Sequence, residues 1–376
     1  MVKGMHLTLM IGPMIPSAAP REVMDALTDV EVQTGATSQS GFQLKFTLGK
    51  RSKLHEYFLV SPTAIIPVMR VVIVVTLNAS PHVLIDGVIT NVQMIPGSGG
   101  SPASLSVTGK DLTHVMDLTD LTGLIPYPAM PVEARIGLIL IKYALFGVIP
   151  KIIPSVLIDI PNPLNEIPTH QGTDLEYVQQ KAQEVGYVFY HDPGPMPGQS
   201  FAYWGPEIKI GLPQPALSID MDGDTNVESL SFSFDNTQNK LPIIVVQNQE
   251  TRLTLVLPVP PITPLNPPLG ALQPIPVGTN VIREGATHGV ARAIVLGLAK
   301  AAQTADAVTG NGSLDVLRYG HILKPRGLVG VRGAGEAFDG LYYVDQVTHS
   351  IKRGEYKQSF QLRRNGLVST VPGVPL

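Results

Sequence analysis

Residues Phe338 to Gly366 read FDGLYYVDQVTHSIKRGEYKQSFQLRRNG, and the period of this stretch decides the fold class. The run Lys352-Arg353-Gly354-Glu355 puts a glycine where a tight turn calls for φ > 0. After it, Tyr356, Phe360 and Leu362 alternate with Lys357, Ser359, Gln361 and Arg363. Period two with one apolar face marks a half-buried strand. Before the turn the pattern is mixed: Leu341, Tyr343, Val347 and Ile351 share a parity with Asp345 and His349. That arm is expected to be covered in part on both sides. The stretch predicts a β-hairpin.

A second stretch has the same design. Leu84 to Asp111 read LIDGVITNVQMIPGSGGSPASLSVTGKD. Each stretch opens with Asp-Gly, at Asp86-Gly87 and Asp339-Gly340, runs through an apolar strand and turns at glycine. Each returns on an alternating strand, here with Ala103, Leu105 and Val107 opposed to Ser104, Ser106 and Thr108. Two hairpins of one design predict two copies of one β-domain, with Leu105 and Val107 in places like those of Phe360 and Leu362. Two unrelated hairpins sharing common features is the alternative.

The chain of 376 residues is long enough for two to four domains and a large core. Hydrophobic residues make up 44% and charged residues 15%, against about 25% charged in ordinary soluble proteins. So little charge with so much apolar content predicts a surface largely covered by other subunits. The 36 glycines and 34 prolines favour short strands and turns over long helices. A net charge of −3 gives no bulk field to hold nucleic acid or an anionic membrane. With no cysteine, disulfides, thiol catalysis and zinc–thiolate sites are excluded. The N-terminus makes a poor signal peptide. The apolar runs Ile65–Leu77 and Ile136–Ile149 are too short to span a bilayer.

Periodicity divides the chain. Residues 1–118 read as a first β-barrel domain, with strands at Met5–Ile11, Asp29–Gln33, Phe42–Leu48, Val68–Leu77, Val83–Ile95 and Ala103–Gly109 and a helical turn from Leu112 to Leu118. Residues 119–206 read as a small α+β domain. Its first helix, Val132 to Phe146 behind Pro131, is apolar nearly all round and is expected to be buried. Its second helix starts at Thr173, with Glu176 completing a capping box, and ends at Gly186. Strands follow at Tyr187–His191 and Ser200–Trp204. Residues 207–366 read as a second β-barrel domain, opening with the alternation Asn226–Phe234 and continuing at Ile243–Gln249 and Arg252–Leu257. A proline-rich arm and a helix over Thr287–Ala305 are inserted in it at about 257–312, and 367–376 is a tail. Leu257–Gly278 carries eight prolines with apolar residues between them, which predicts an ordered, extended arm lying on its own barrel or on a neighbouring subunit.

Candidate chemistry is sparse. Asp220, Asp222, Asp224, Asn226 and Glu228 alternate as in a calcium loop, but Gly223 comes too early and no helix flanks them, so a turn is the expectation. The glycines from Gly330 to Gly340 precede a strand, where a phosphate loop needs a helix N-terminus. His191 and His349 sit in strands and read as structural. Ser98 and Ser101 lack the strand–turn–helix setting of a nucleophile elbow. Lys352, Arg353, Lys357, Arg363 and Arg364 read as a solvated face or subunit rim, with contact to passing nucleic acid as the other possibility. No catalytic, metal or cofactor-binding set is assigned, no cofactor is expected, and the chain is expected not to be an enzyme.

The stretch Gln171-Gly-Thr-Asp174-Leu-Glu-Tyr-Val-Gln-Gln-Lys-Ala-Gln-Glu-Val-Gly186-Tyr-Val-Phe-Tyr190 resembles the central motif of baseplate hub proteins of contractile tails. So do Phe338 to His349, Gly354-Glu-Tyr356 and Phe360-Gln-Leu362-Arg363, while Asp224 to Phe232 looks like the strand opening their third domain. The family comprises late-control-D-like phage proteins, the hub half of type VI secretion spike proteins, and hubs of extracellular contractile injection systems. The resemblance spans most of the chain in the expected order and rests on that order, each motif being only moderately specific. It implies a mainly β fold, two related barrels separated by a small α+β domain, assembled as a homotrimeric structural hub that adapts a hexameric tail tube to a trimeric spike. It implies tube, spike and other baseplate proteins as partners, no stable nucleic-acid binding and no membrane insertion. It also implies assembly in the producing cell's cytoplasm and a place in a virion tail or injection particle. The chain departs from some relatives in lacking a spike segment after the hub, so the spike is expected to be a separate protein. The proline segment is also longer than in the basic pattern. A tail-tip cell-wall or polysaccharide hydrolase and a receptor-binding β-protein are the competing readings.

Overall fold

The computed structural model describes residues 4–49, 52, 54–59, 68–97, 102–155, 161, 163, 164, 167–236, 240–247, 254–258, 266–282, 297 and 306–371. The chain opens with β1 (Met5–Gly12), β2 (Ser17–Ala18), α1 (Arg21–Ala26), β3 (Leu27–Gly35), β4 (Gly41–Leu48) and α2 (Leu54–Leu59). It continues with β5 (Arg70–Leu77), β6 (Ser80–Ile95), β7 (Ala103–Asp111) and the single turn α3 (Thr113–Met116). The helical middle follows as α4 (Val132–Ile141), a 3-10 turn over Lys142–Phe146, β8 (Val148–Ile152), α5 (Asp174–Val185), β9 (Val188–Pro193) and β10 (Ser200–Gly205). The last part comprises β11 (Gln214–Ser218), β12 (Ser229–Phe234), β13 (Lys240–Gln247), β14 (Thr254–Pro258), β15 (Gly270–Leu272) and β16 (Gly278–Ile282). After these come β17 (Val308–Asp315), α6 (Val316–Tyr319), β18 (Leu328–Arg332), β19 (Gly340–Lys352), β20 (Glu355–Arg364) and β21 (Leu367–Ser369).

The architecture is mainly β and mainly antiparallel. One 13-stranded sheet runs β12-β17-β20-β19-β3-β4-β7-β6-β5-β1-β2, with β18 beside β19 and β11 beside β18. Strands from both ends of the sequence meet in it, and so do their cores. Val32, Leu44, Ile73 and Val107 from the first part and Val308, Val329, Val347 and Leu362 from the last are all fully buried in one cluster. Each such side chain contributes about 1.5–3 kcal/mol on burial, so this joint core is the dominant stabilising element.

The decisive hairpin is β19·β20, with Gly354 at φ 85° in its turn. Tyr356, Phe360 and Leu362 are buried, as their spacing predicts. The arm before the turn differs from the sequence reading. A bulge between Val344 and Gln346 shifts the pleat by one residue. Tyr342, Val344, Val347 and Ile351 therefore share the main core, while Leu341 and Tyr343 pack on the opposite face with Ala36, Leu269 and Leu328. An extra residue in one strand inverts every parity beyond it.

In the middle segment, β8 lies parallel and β9 antiparallel to β10, and α4 and α5 pack on them around Ile136, Leu140, Val178 and Trp204. Thr173 and Glu176 form the reciprocal capping box, and Gly186 ends α5 in the left-handed region. The helix expected over 132–146 is helical throughout, tightening to 3-10 after Ile141, but it is not buried all round: Leu138, Ile141 and Leu145 are exposed. Only one side of it meets the sheet. Strand β8 was not anticipated, because Pro150 hides its alternation; Pro150 faces Ala202 across a parallel pair.

The chain leaves the large sheet after Phe234 and returns at Val308, and in between β13, β14 and β16 form a separate three-stranded sheet. The strands expected at Ile243–Gln249 and Arg252–Leu257 thus belong to the excursion. Of the proline-rich arm, Leu269 is buried, its N–H and that of Gly270 donate to Asn365 Oδ1, and β15 pairs with β21. Ile275 is 82% exposed. Residues 259–265, and all but Gly297 of the helix expected over Thr287–Ala305, lie outside the described residues. Among the described residues no helix is long and apolar enough to cross a membrane.

Candidate functional site

The two halves of the large sheet repeat one strand order. The first runs β3-β4-β7-β6-β5-β1; the second runs β12-β17-β20-β19-β18-β11. In each, the first pair of the order is followed in the chain by a short helix, α2 or α6, then by three strands forming two hairpins. Both long hairpins carry a bulge, between Ile89 and Asn91 in β6 and between Val344 and Gln346 in β19. The halves differ at the far edge, where β1 is antiparallel to β5 while β11 is parallel to β18.

Counted from the bulges, whole rows of side chains correspond. The row Glu31, Gln43, Thr108, Asn91 matches Ser231, Asn311, Gln361, Gln346. The next row, Val32, Phe42, Gly109, Ile89, matches Phe232, Gly310, Leu362, Val344. Polar rows match polar rows and apolar match apolar. A glycine stands in each apolar row where a neighbouring ring lies across the backbone, Phe42 over Gly109 and Phe232 over Gly310. The expected pairing of Leu105 and Val107 with Phe360 and Leu362 is displaced by two residues: Val107 matches Phe360, and Leu105 matches Gln358. The Asp-Gly openings are displaced likewise and play different parts. Asp86 holds buried Arg70 at 2.6 and 2.7 Å, whereas Asp339 accepts the Ala334 N–H. Period two fixes the face of a strand and leaves its register free in steps of two.

The halves join at a seam. β3 pairs antiparallel with the second half of β19, from Gly35 opposite Gln346 to Asp29 opposite Lys352. Val32, Thr34, Val347 and His349 are buried there. Arg326 pins this junction to the middle segment: its guanidinium donates to the Gly35 carbonyl, meets Asp192 at 2.9 Å and lies 4.1 Å from the centre of the Tyr190 ring. A second lock is ionic. Lys209 and Arg363 share Asp306 at 2.8 and 3.0 Å, and Arg363 also reaches Glu207 and, at 2.9 Å, Asp345.

The sequence candidates fall into place around this frame. Lys352 and Arg353 are exposed, but Arg363 and Arg364 do not belong to a solvated face. Arg364 is fully buried, donating to the carbonyls of Asp339 and Ala337 and lying 4.4 Å from the centre of the Tyr342 ring. Its long side chain and polar head read from sequence as surface; only the fold supplies the carbonyls that accept from its two terminal nitrogens. The acidic run at 220–228 is a turn with a 3-10 segment at Asp222–Asp224, and Asn226 bonds the backbone of Ser218 and Ala216. Gly333 and Gly335 take positive φ in the turn before β19. His191 and His349 are buried, and burial pushes both imidazoles down to about 3. Ser98 and Ser101 lie outside the described residues. Among the described residues, no three His, Asp or Glu side chains come together as a metal-binding group.

One polar cluster was missed. Asp174 takes Tyr143 at 2.6 Å and Lys142 at 2.5 Å, and His170, 3.5 Å away, bonds Tyr127 at 2.9 Å and stacks on Tyr177. His–Asp proximity suggests acid–base chemistry, but His170, Asp174 and Tyr177 are buried in the core of the middle segment, and burial lowers the His170 pKa. The i, i+4 spacing of His170 and Asp174 was the available signal. A cavity of about 760 Å³ lies between α5 and the sheet, lined by Gln179, Gln183, Tyr187, Glu207 and Arg363 among others, and its Arg363 and Glu207 are paired with each other.

No protein-family model matches the sequence, and no curated protein matches it significantly. Solved structures do match the fold. A tail protein from Neisseria meningitidis MC58 aligns with a TM-score of 0.63 at 14% identity, over 97% of this chain and 98% of that one. The 43 kDa tail protein of prophage MuSo2 from Shewanella oneidensis aligns at 0.63 and 13% identity, over 96% and 98%. An Escherichia coli type VI secretion component described as similar to the phage T4 tail proteins gp27 and gp5 aligns at 0.52 and 12% identity, over 93% and 78%. The chain has the fold of these tail and secretion-system proteins.

Proposed function

We propose that this chain is the structural hub of a contractile phage tail or phage-like injection device, a homotrimer whose two barrel-like units per chain form a pseudo-sixfold ring. The observation that carries the proposal is the repeated strand order, β3-β4-β7-β6-β5-β1 and β12-β17-β20-β19-β18-β11, joined head to tail by the β3·β19 seam. A hexameric tube presents six equivalent surfaces and a trimeric spike presents three, so each contact repeats under its own symmetry operator. Three chains with two like units each meet both. The units extend over about residues 1–118 and 207–366, with 119–206 as the α+β segment between them. Tail and secretion-system proteins of the same fold support this reading. The low charge and exposed Leu138, Ile141 and Leu145 fit a subunit covered by neighbours.

In such a ring the polar rows of the sheet, from Ser231 and Asn311 through Thr108 and Asn91, line the passage. The chain carries no chemical step; the burial of His170 and Asp174 away from solvent supports that. The test is the assembled particle imaged with this protein labelled. Three copies between tube and spike are expected; six copies or one, or turnover of peptidoglycan abolished by a single substitution, would overturn the reading.

A further inference from the structure

The seam within the chain leaves two strand edges without a partner among the described residues. β19 pairs with β18 over residues 340–343 and with β3 over 346–352. Its counterpart β6 pairs with β5 as far as Val88, and no strand is paired beyond that point to the edge opposite β7. Likewise β3 is paired on both sides, whereas among the described residues its counterpart β12 is paired only with β17. Unpaired edges of this kind recruit another chain unless covered.

The matched rows fix what would pair. Val92, Gln93, Met94 and Ile95 stand where Val347, Thr348, His349 and Ser350 stand in the second half. Phe234, Phe232 and Ser233 stand where Thr34, Val32 and Gln33 stand in the first. At the closed seam Val347 faces Thr34, Thr348 faces Gln33 and His349 faces Val32. We infer that β12 of one copy of this chain pairs antiparallel with β6 of a second copy, with Val92 opposite Phe234, Gln93 opposite Ser233, Met94 opposite Phe232 and Ile95 opposite Ser231. The inference rests on the hub reading above.

Exposure supports a missing neighbour. Val32, Thr34, Val347 and His349 are 0–5% exposed at the closed seam, whereas Met94 is 47% and Phe234 39% exposed at the open edges. Val92, Met94, Phe232 and Phe234 are apolar and Gln93 and Ser233 polar, so the register copied from the closed seam returns both apolar rows to the core face, with Ile95 the exception on the polar face. Each copy carries one β12 edge and one β6 edge on different surfaces, so the contact is head to tail, and it either closes into a ring or grows.

The chain has no cysteine, so the double variant Gln93→Cys/Ser233→Cys has a clean background. Both positions are exposed and polar, which keeps the fold intact. Under mild oxidant it is expected to run as a covalent trimer on a denaturing gel. Gln93→Cys/Ser229→Cys, displaced by about 13 Å along the strand, is expected to stay monomeric on that gel. Phe234→Asp is expected to reduce the solution mass from trimer to monomer with an unchanged circular dichroism spectrum. A trimer by light scattering that does not cross-link, or that survives Phe234→Asp, overturns this seam and leaves the trimeric hub standing. A native chain that is monomeric at all concentrations overturns both. Cross-linked ladders beyond three keep the strand pair and overturn the closed ring.

Discussion

At the scale of single residues, the polar groups inside the sheet show what burial demands of a side chain. His349 accepts or donates at 2.8 Å to Tyr356, and Gln358, which takes the Leu323 N–H and gives to its carbonyl, lies 3.3 Å from the imidazole. With no carboxylate partner, burial holds the ring neutral, down to about 3 from its ordinary 6.5. The unfolded chain binds a proton at this residue below about 6.5 and the folded chain only near 3, so stability attributable to His349 is intact above that window and is lost as pH falls through it. In His349→Gln the slope of unfolding free energy against pH between 6.5 and 3 should be shallower than in the native chain, by chemical denaturation at a series of pH values. His191 carries the same shift and should leave part of the slope in place.

Among the elements, α5 is the one whose ends are written most fully in its residues. Thr173 accepts the Glu176 N–H at 3.2 Å, Glu176 accepts the Thr173 N–H at 2.9 Å, and Thr173 Oγ1 also donates to Asp117. Thr173→Ala removes the side-chain half of the box and the tie to the α3 region. It should cost about 1–2 kcal/mol, read as a lower midpoint of denaturation. This box, Gly186 after the helix and the turn glycine Gly354 were all legible, because each satisfies local backbone groups with local residues. The bulge in β19 was not: its extra residue, Asp345, is stabilised by Arg363 from β20 and by the N–H of Ala36, which donates to its carbonyl. Nothing within a few positions of it in sequence marks the shift.

For the molecule as a whole, Arg326 is the residue that holds three parts together: its side chain reaches Gly35 in β3 and Asp192 and Tyr190 in β9, and its backbone N–H donates to the Val344 carbonyl at 2.9 Å. Arg326→Ala should loosen the middle segment from the large sheet before either unfolds. Amide exchange in β9 and α5 is expected to rise several-fold, with the β4·β7 amides unchanged; uniform acceleration everywhere would instead mark a global loss of stability. The same scale separates what sequence and tertiary structure each decide here. Alternation at Tyr356–Leu362 and Leu105–Val107, the glycines and prolines between strands, and the capping box are local, so the sequence by itself determined a mainly β chain with a helical middle and a repeated hairpin. Register, the bulges, the burial of Arg364, the ion pairs of Arg363 and the joining of β3 to β19 depend on residues up to about 300 positions away. They were decided only by the tertiary structure, because hydrogen-bonded strands can slide by two residues without changing a single face, and only the packed core and its long-range polar partners choose among those registers.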